Sequence, residues 1–147
     1  MRIFLIIFLL GLSPVFGQID YNTKKGFVAE GYDVVEYFND MAIEGDKRIT
    51  HEYDGTKYKF SSLENLAHFK ANPEKYIPQY GGYCAYAIAV NAKKVSIDPE
   101  TFEIRNAKLY LFYNAWGTNT LELWQKENVK GLLEKADQNW VSLSRKE

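Results

Sequence analysis

Thr50-His51-Glu52-Tyr53-Asp54-Gly55-Thr56-Lys57-Tyr58-Lys59-Phe60-Ser61-Ser62-Leu63-Glu64 reads in one pass as strand, turn, strand and helix start. Asp54-Gly55 between two alternating segments predicts a hairpin, because a type I′ turn needs positive φ at both central residues. Alternation places Tyr58 and Phe60 on one face of the second strand and Lys57 and Lys59 on the other. Ser61-x-x-Glu64 has the form of a capping box, so the spacing predicts a helix with Ser61 as its N-cap. Leu63, Leu66, Ala67 and Phe69 lie on or near its apolar side. Asn72-Pro73 ends it, since the residue before a proline is pushed out of the helical region.

Before this stretch, Tyr32-Asp33-Val34-Val35-Glu36-Tyr37-Phe38 is rich in β-branched and aromatic residues and too short for periodicity to separate strand from helix. Its apolar side chains are expected in the core. After it, Gly81-Gly82 permits a sharp turn or a close backbone approach, and the Ala-rich run from Tyr83 to Val90 favours a helix with Cys84 in its first turn. Phe102-Glu103-Ile104 and Leu109-Tyr110-Leu111-Phe112-Tyr113 make a second hairpin, turned at Arg105 to Lys108. Thr118 to Lys126 reads as a helix, and another begins near Asn128, with Val129, Leu132, Leu133, Ala136, Trp140 and Leu143 at steps of three and four. That stripe is expected to dock on a sheet. Hairpins interleaved with helices give the α+β class: a small antiparallel sheet built from hairpins, packed against several α-helices.

The 147 residues are 46% hydrophobic, 25% charged and 16% aromatic, with one cysteine, which excludes a disordered chain, a collagen-like repeat and a disulfide scaffold. Met1-Arg2, the apolar run Ile3 to Leu12 and the small residues around Phe16 have the order of a secretory signal, and the run is shorter than the ~18 residues of a membrane span. The expectation is a signal peptide over residues 1–17, cleaved near Gly17, with no stable membrane span afterwards. Residues 18–147 would then be one periplasmic or secreted domain. Without Arg2 there remain 17 basic and 19 acidic residues. Basic pairs such as Lys24-Lys25 and Lys93-Lys94 read as solvated loops, so no nucleic-acid partner is expected.

Cys84 is the only cysteine, so no intramolecular disulfide forms. In an oxidising compartment such a thiol is buried and inert, paired with another molecule, or kept reactive as a ligand or redox group. The chain has no G-x-S-x-G, H-E-x-x-H, Walker, G-x-G-x-x-G or C-x-x-C motif. Its two imidazoles are His51, on the strand beside the turn, and His68, on the following helix. Cys84, His51 and His68 are the candidate metal ligands, because a thiolate with one or two imidazoles suits zinc or copper, and soft sulfur favours Cu(I).

Gly31-Tyr32-Asp33-Val34-Val35-Glu36-Tyr37-Phe38, the stretch from Tyr53 to Phe69, Asn72-Pro73-Glu74-Lys75-Tyr76 and Tyr80-Gly81-Gly82-Tyr83-Cys84-Ala85-Tyr86-Ala87 together resemble a YHS-domain protein. Lys108-Leu109-Tyr110-Leu111 and Ala136-Asp137-Gln138-Asn139-Trp140 are similar to the exported, single-domain branch of that family, a branch similar to proteins that include selenoproteins. The resemblance implies a small exported domain. YHS domains also occur attached to copper-transporting ATPases, so it implies metal handling as well. In metal-associated members cysteines occupy the positions of Glu36, Ser61 and Asn65; those ligands are missing here, and Cys84 remains.

The expected function is therefore that of an exported, non-enzymatic protein that binds a soft metal, copper above all, or cycles redox state through Cys84, with His51 or His68 as co-ligands. The alternative is a metal-free module that holds a small ligand or a partner protein on an aromatic surface, since twenty aromatic residues follow Gly17. Catalysis would need an acidic thiol at Cys84.

Overall fold

The computed structural model describes residues 18–145, and the expected signal peptide lies outside them. Two short strands, β1 (Thr23–Lys24) and β2 (Phe27–Val28), precede the hairpin of β3 (Asp46–Tyr53) and β4 (Thr56–Phe60). Helices α1 (Leu63–Ala71), α2 (Pro73–Tyr76) and α3 (Ala85–Asn91) follow. Two further hairpins, β5 (Asp98–Arg105) with β6 (Lys108–Phe112) and β7 (Asn114–Ala115) with β8 (Thr118–Asn119), lead to α4 (Thr120–Lys126) and α5 (Val129–Leu143). The class is α+β, as expected. The strands are divided among a four-stranded sheet of order β1-β2-β4-β3 and two two-stranded ones, and β2 runs parallel to β4.

Asp54 and Gly55 take φ of 50° and 73°, the double positive φ that the turn requires. Across it His51 pairs with Tyr58 and Glu52 with Lys57. Tyr58 and Phe60 are buried while Lys57 is exposed, the alternation expected of a strand with one face on the core. Both rings pack on Phe69 of α1, with centroids 4.8 and 5.1 Å away.

The start of α1 differs from the capping-box reading by one residue. Ser62 is the N-cap, its Oγ accepting from the Asn65 N–H at 3.1 Å. Ser61 is unavailable, because its N–H and its hydroxyl both donate to Asp33 Oδ2. The apolar side of α1 is also narrower than expected: Phe69 is buried and Leu66 partly so, but Leu63 and Ala67 are exposed, and the buried place in the first turn belongs to Asn65. The segment Tyr32–Phe38 is neither strand nor full helix. Asp33 Oδ1 accepts from the Val35 N–H at 2.9 Å, an Asx turn, and a 3₁₀ turn over Glu36–Asn39 follows.

Gly81 is a glycine that geometry demands. Its φ is +60°, and a Cβ there would stand 2.5 Å from the Asp20 carbonyl oxygen and 3.1 Å from the Trp140 ring. Cys84 lies just before α3, as its N-cap residue, rather than inside its first turn. Residues Thr118 and Asn119 pair back on β7, so α4 begins at Thr120, capped by Asn119 Oδ1. On α5, Leu132 and Ala136 are buried and Asn139 Nδ2 donates to the Ile88 and Ala89 carbonyls at 2.8 and 3.2 Å. The stripe of α5 thus docks first on α3, with Tyr110 and Phe112 of β6 in the same cluster, and not on a bare sheet. Asn139 also meets carbonyls that the end of α3 leaves without helical partners.

The core falls into two adjoining clusters. One gathers Val34, Tyr37, Tyr58, Phe60, Phe69 and Leu109; the other gathers Ile88, Phe112, Trp124, Leu132 and Ala136; Tyr86 packs against both. Of the twenty aromatics, Trp116 alone is fully exposed, at 97%, on the β7–β8 turn. The aromatic surplus is therefore mainly core filling. No helix among the described residues is long and apolar enough to cross a membrane.

Candidate functional site

Asp33 is fully buried in a segment of apolar neighbours, a position that is costly for a carboxylate unless donors surround it. Four do. Val35 N–H reaches Oδ1 at 2.9 Å; Ser61 N–H, Ser61 O–H and Asn65 Nδ2–H reach Oδ2 at 2.7, 2.8 and 2.8 Å. These charge-assisted bonds tie three pieces of chain: the Asx turn, the residue after β4, and the first turn of α1. The amide of Asn65 also donates to Glu36 Oε1 at 2.6 Å, so it stands between two carboxylates. A third acceptor of the same amide nitrogen, Ser61 Oγ at 3.3 Å, closes the node.

Over the node lies a groove of about 650 Å³, lined by Glu36, Phe38, Asn65, His68, Lys75 and Tyr76 among others. Phe38 and Tyr76 meet edge to face with centroids 5.3 Å apart. Lys75 Nζ lies 5.9 and 5.0 Å from those two ring centres, within cation–π range. His68 projects from α1 with 55% of its side chain exposed and Nε2 3.6 Å from Glu64 Oε1, an exposed pair of little energetic weight. His51, on β3, is partly buried and meets Phe69 in a T-shaped arrangement, with centroids 6.2 Å apart.

Cys84 has no exposed surface. Its Sγ lies 3.3 Å from Thr120 Oγ1, and the Thr120 hydroxyl proton is already given to the Tyr113 carbonyl at 2.8 Å. Thr120 Oγ1 is thus left to accept the thiol proton. Cys84 N–H donates to the Val95 carbonyl at 3.0 Å, and the residue belongs to the first core cluster. The three expected ligands are not brought together: among the described residues no three His, Cys, Asp or Glu side chains are grouped so as to hold a metal ion.

Residues 34–80 match the family model of the YHS domain. The chain contains a YHS domain. No curated protein and no solved structure matches it. The YHS stretch holds Glu36, Ser61, Asn65, the groove and both histidines; Asp33 stands immediately before it and Cys84 four residues beyond its end.

Glu36, Ser61 and Asn65, the positions that the resemblance pairs with ligating cysteines, do converge in this YHS domain. They converge as hydrogen-bonding groups around Asp33. Asp33 is not a residue that metal-ligand chemistry singles out, yet the sequence carries a sign of it: an acidic residue inside Tyr32-Asp33-Val34-Val35, a segment bound for the core, needs donors brought to it. Asn65 carries a weaker sign, lying four residues before the buried Phe69 on the same helical face.

Proposed function

We propose that the protein is an exported, non-enzymatic binding module, residues 18–147 forming one domain, which holds a small polar ligand in the groove of its YHS domain rather than a metal ion on thiolates. The observation that carries this reading is the Asp33 node. The side chains at the positions of the family's ligating cysteines are oxygen and amide groups already satisfied by one another, and they form a fixed floor beneath an open groove. Glu36, His68 and Lys75 offer an acid, an imidazole and an ammonium at its walls, and Phe38 and Tyr76 offer apolar faces. A mostly preformed cleft with a few placed polar groups is the usual form of a small-molecule site.

Soft-metal or redox work at Cys84 is the competing reading, and it requires the fold to open around a thiol with no exposed surface. Two measurements separate the readings. In a thermal-shift series with small amino acids and hydroxy acids, a ligand at about a hundred times its Kd stabilises by about 2.7 kcal/mol. The expected stabilisation is lost in His68→Ala with Lys75→Ala and kept in Cys84→Ser. Titration of Cu(I) into the parent and into Cys84→Ser is the second measurement. Stoichiometric copper held by the parent and lost in the variant would return Cys84 to the centre of the function.

A further inference from the structure

One atom of the floor beneath the YHS groove stands outside the mutual bonding. Asn65 is 8% exposed and lines the groove. Its Nδ2 is turned to Asp33 Oδ2, Glu36 Oε1 and Ser61 Oγ, at 2.8, 2.6 and 3.3 Å. Those contacts fix which end of the amide is which, because a flipped amide would set its oxygen against two carboxylates. Asn65 Oδ1 accepts from no group among the described residues. Nor is it enclosed, since among those residues the one enclosed side-chain oxygen or nitrogen without a partner is Tyr58 Oη. A side chain more than nine-tenths buried thus holds an unpartnered acceptor, fixed in orientation, at the floor of an open cleft, and a polar group from outside would complete it.

At the wall, Lys75 lacks a partner of the opposite sign. Its Nζ makes no ion pair among the described residues and stands near the Phe38 and Tyr76 rings. Phe38 and Met41, the latter 46% exposed, add apolar surface to the same lining.

These features select a ligand by its chemistry. Asn65 Oδ1 can only accept, and the Glu36 carboxylate bonded to the same amide repels anions, so the floor takes a donor and favours a cationic one. Lys75 has donors and no acceptor, so the wall takes an anion. A metal ion is a poorer match, because no three metal-ligating side chains are grouped among the described residues and Lys75 would face it with like charge. An ammonium, a carboxylate and an alkyl group on one compact frame make an α-amino acid. We propose that the groove binds a free α-amino acid with an aliphatic side chain, its ammonium on Asn65 Oδ1 and Glu36, its carboxylate on Lys75 and its side chain against Phe38 and Met41. The assignment rests on the reading of the YHS groove as the ligand site, and adds to it the class of the ligand and its orientation.

Isothermal titration of the exported protein with leucine and two analogues tests it. One analogue, α-hydroxyisocaproate, has a hydroxyl in place of the ammonium; the other, isopentylamine, lacks the carboxylate. The parent is expected to bind leucine one-to-one and each analogue about tenfold more weakly, the effect of one charge-assisted hydrogen bond. Lys75→Met, at an exposed position, keeps an apolar stem and removes the ammonium, so leucine weakens about tenfold and isopentylamine binds as well as leucine does. Glu36→Gln keeps an acceptor for the Asn65 amide, so the node is retained; leucine weakens and its advantage over the hydroxy acid shrinks. Cys84→Ser binds leucine as the parent does. Either analogue bound by the parent as tightly as leucine would overturn the amino-acid assignment, and if Lys75→Met or Glu36→Gln weakened that binding, the groove reading would stand. Leucine bound equally by the parent and by both groove variants would overturn the assignment by placing the ligand elsewhere. No binding of any of the three, together with no thermal shift across the wider series of amino and hydroxy acids, would overturn both.

Discussion

Asp33 and Cys84 are both fully buried, and each stands where sequence alone invites a chemical role. Their surroundings differ. Asp33 has four donors from three segments, and removing it would strand the Val35 and Ser61 backbone N–H groups and take the charged acceptor from the Ser61 hydroxyl and the Asn65 amide. Cys84 has a single weak side-chain contact, to Thr120, and otherwise packs as a small apolar group. The lesson is that burial alone does not separate a structural group from a reactive one; the partners do. A buried carboxylate must recruit its environment, and in doing so it organises the YHS groove. A buried thiol asks for nearly nothing, which is why it fits a core.

The largest expected effect follows from that asymmetry. Asp33→Ala should lower unfolding stability by about 3 to 5 kcal/mol, read by urea denaturation, because it leaves several buried donors unpaired. Ser61→Ala removes one charge-assisted bond while Asp33 retains three donors, and should cost about 2 kcal/mol in the same measurement. Cys84→Ala, which empties the space of one sulfur atom and deletes a weak hydrogen bond, should cost about 1 kcal/mol. The thiol of the folded parent should resist a disulfide-forming aromatic reagent and react stoichiometrically once the chain is denatured. A rapid, stoichiometric reaction in the native state would break the contrast, by making Cys84 an accessible group.

Much of this fold was legible because short-range rules decided it. Asp54-Gly55 has few alternatives between alternating strands, Pro73 stops a helix, and the three-four spacing from Val129 to Leu143 has one helical reading. What was not legible depended on partners distant in sequence. Tyr32–Phe38 became a turn because Asp33 meets residues 28 and 32 positions later. The stripe of α5 met α3 before any sheet, an arrangement that spacing along one helix does not encode. The candidate ligands do not converge for the same reason: His51, His68 and Cys84 share only a chemical type, whereas the positions that do meet, Glu36, Ser61 and Asn65, are those the resemblance pairs with ligating cysteines and carry no sulfur. Their convergence around an aspartate needed the tertiary structure.

The smallest effect concerns the one-residue displacement of the α1 cap, and it sharpens the account of the node. If Ser61 were the cap of a reciprocal box, Glu64 would lie three residues on and return a bond to the Ser61 N–H, and Glu64→Ala would weaken the helix. In the structure that N–H belongs to Asp33, Glu64 is exposed, and the cap is Ser62 acting on Asn65. Ser62→Ala should therefore cost about 1 kcal/mol, the ordinary worth of a hydroxyl N-cap, while Glu64→Ala should be nearly neutral apart from its exposed contact with His68. The two serines should also differ in coupling. In double variants with Asp33→Asn, the Ser61→Ala effect should shrink, because its acceptor is altered, and the Ser62→Ala effect should persist almost unchanged. Equal coupling of both would mean that cap and node form one unit, and that Asp33 sets the first turn of α1 through Ser62 as much as through Ser61.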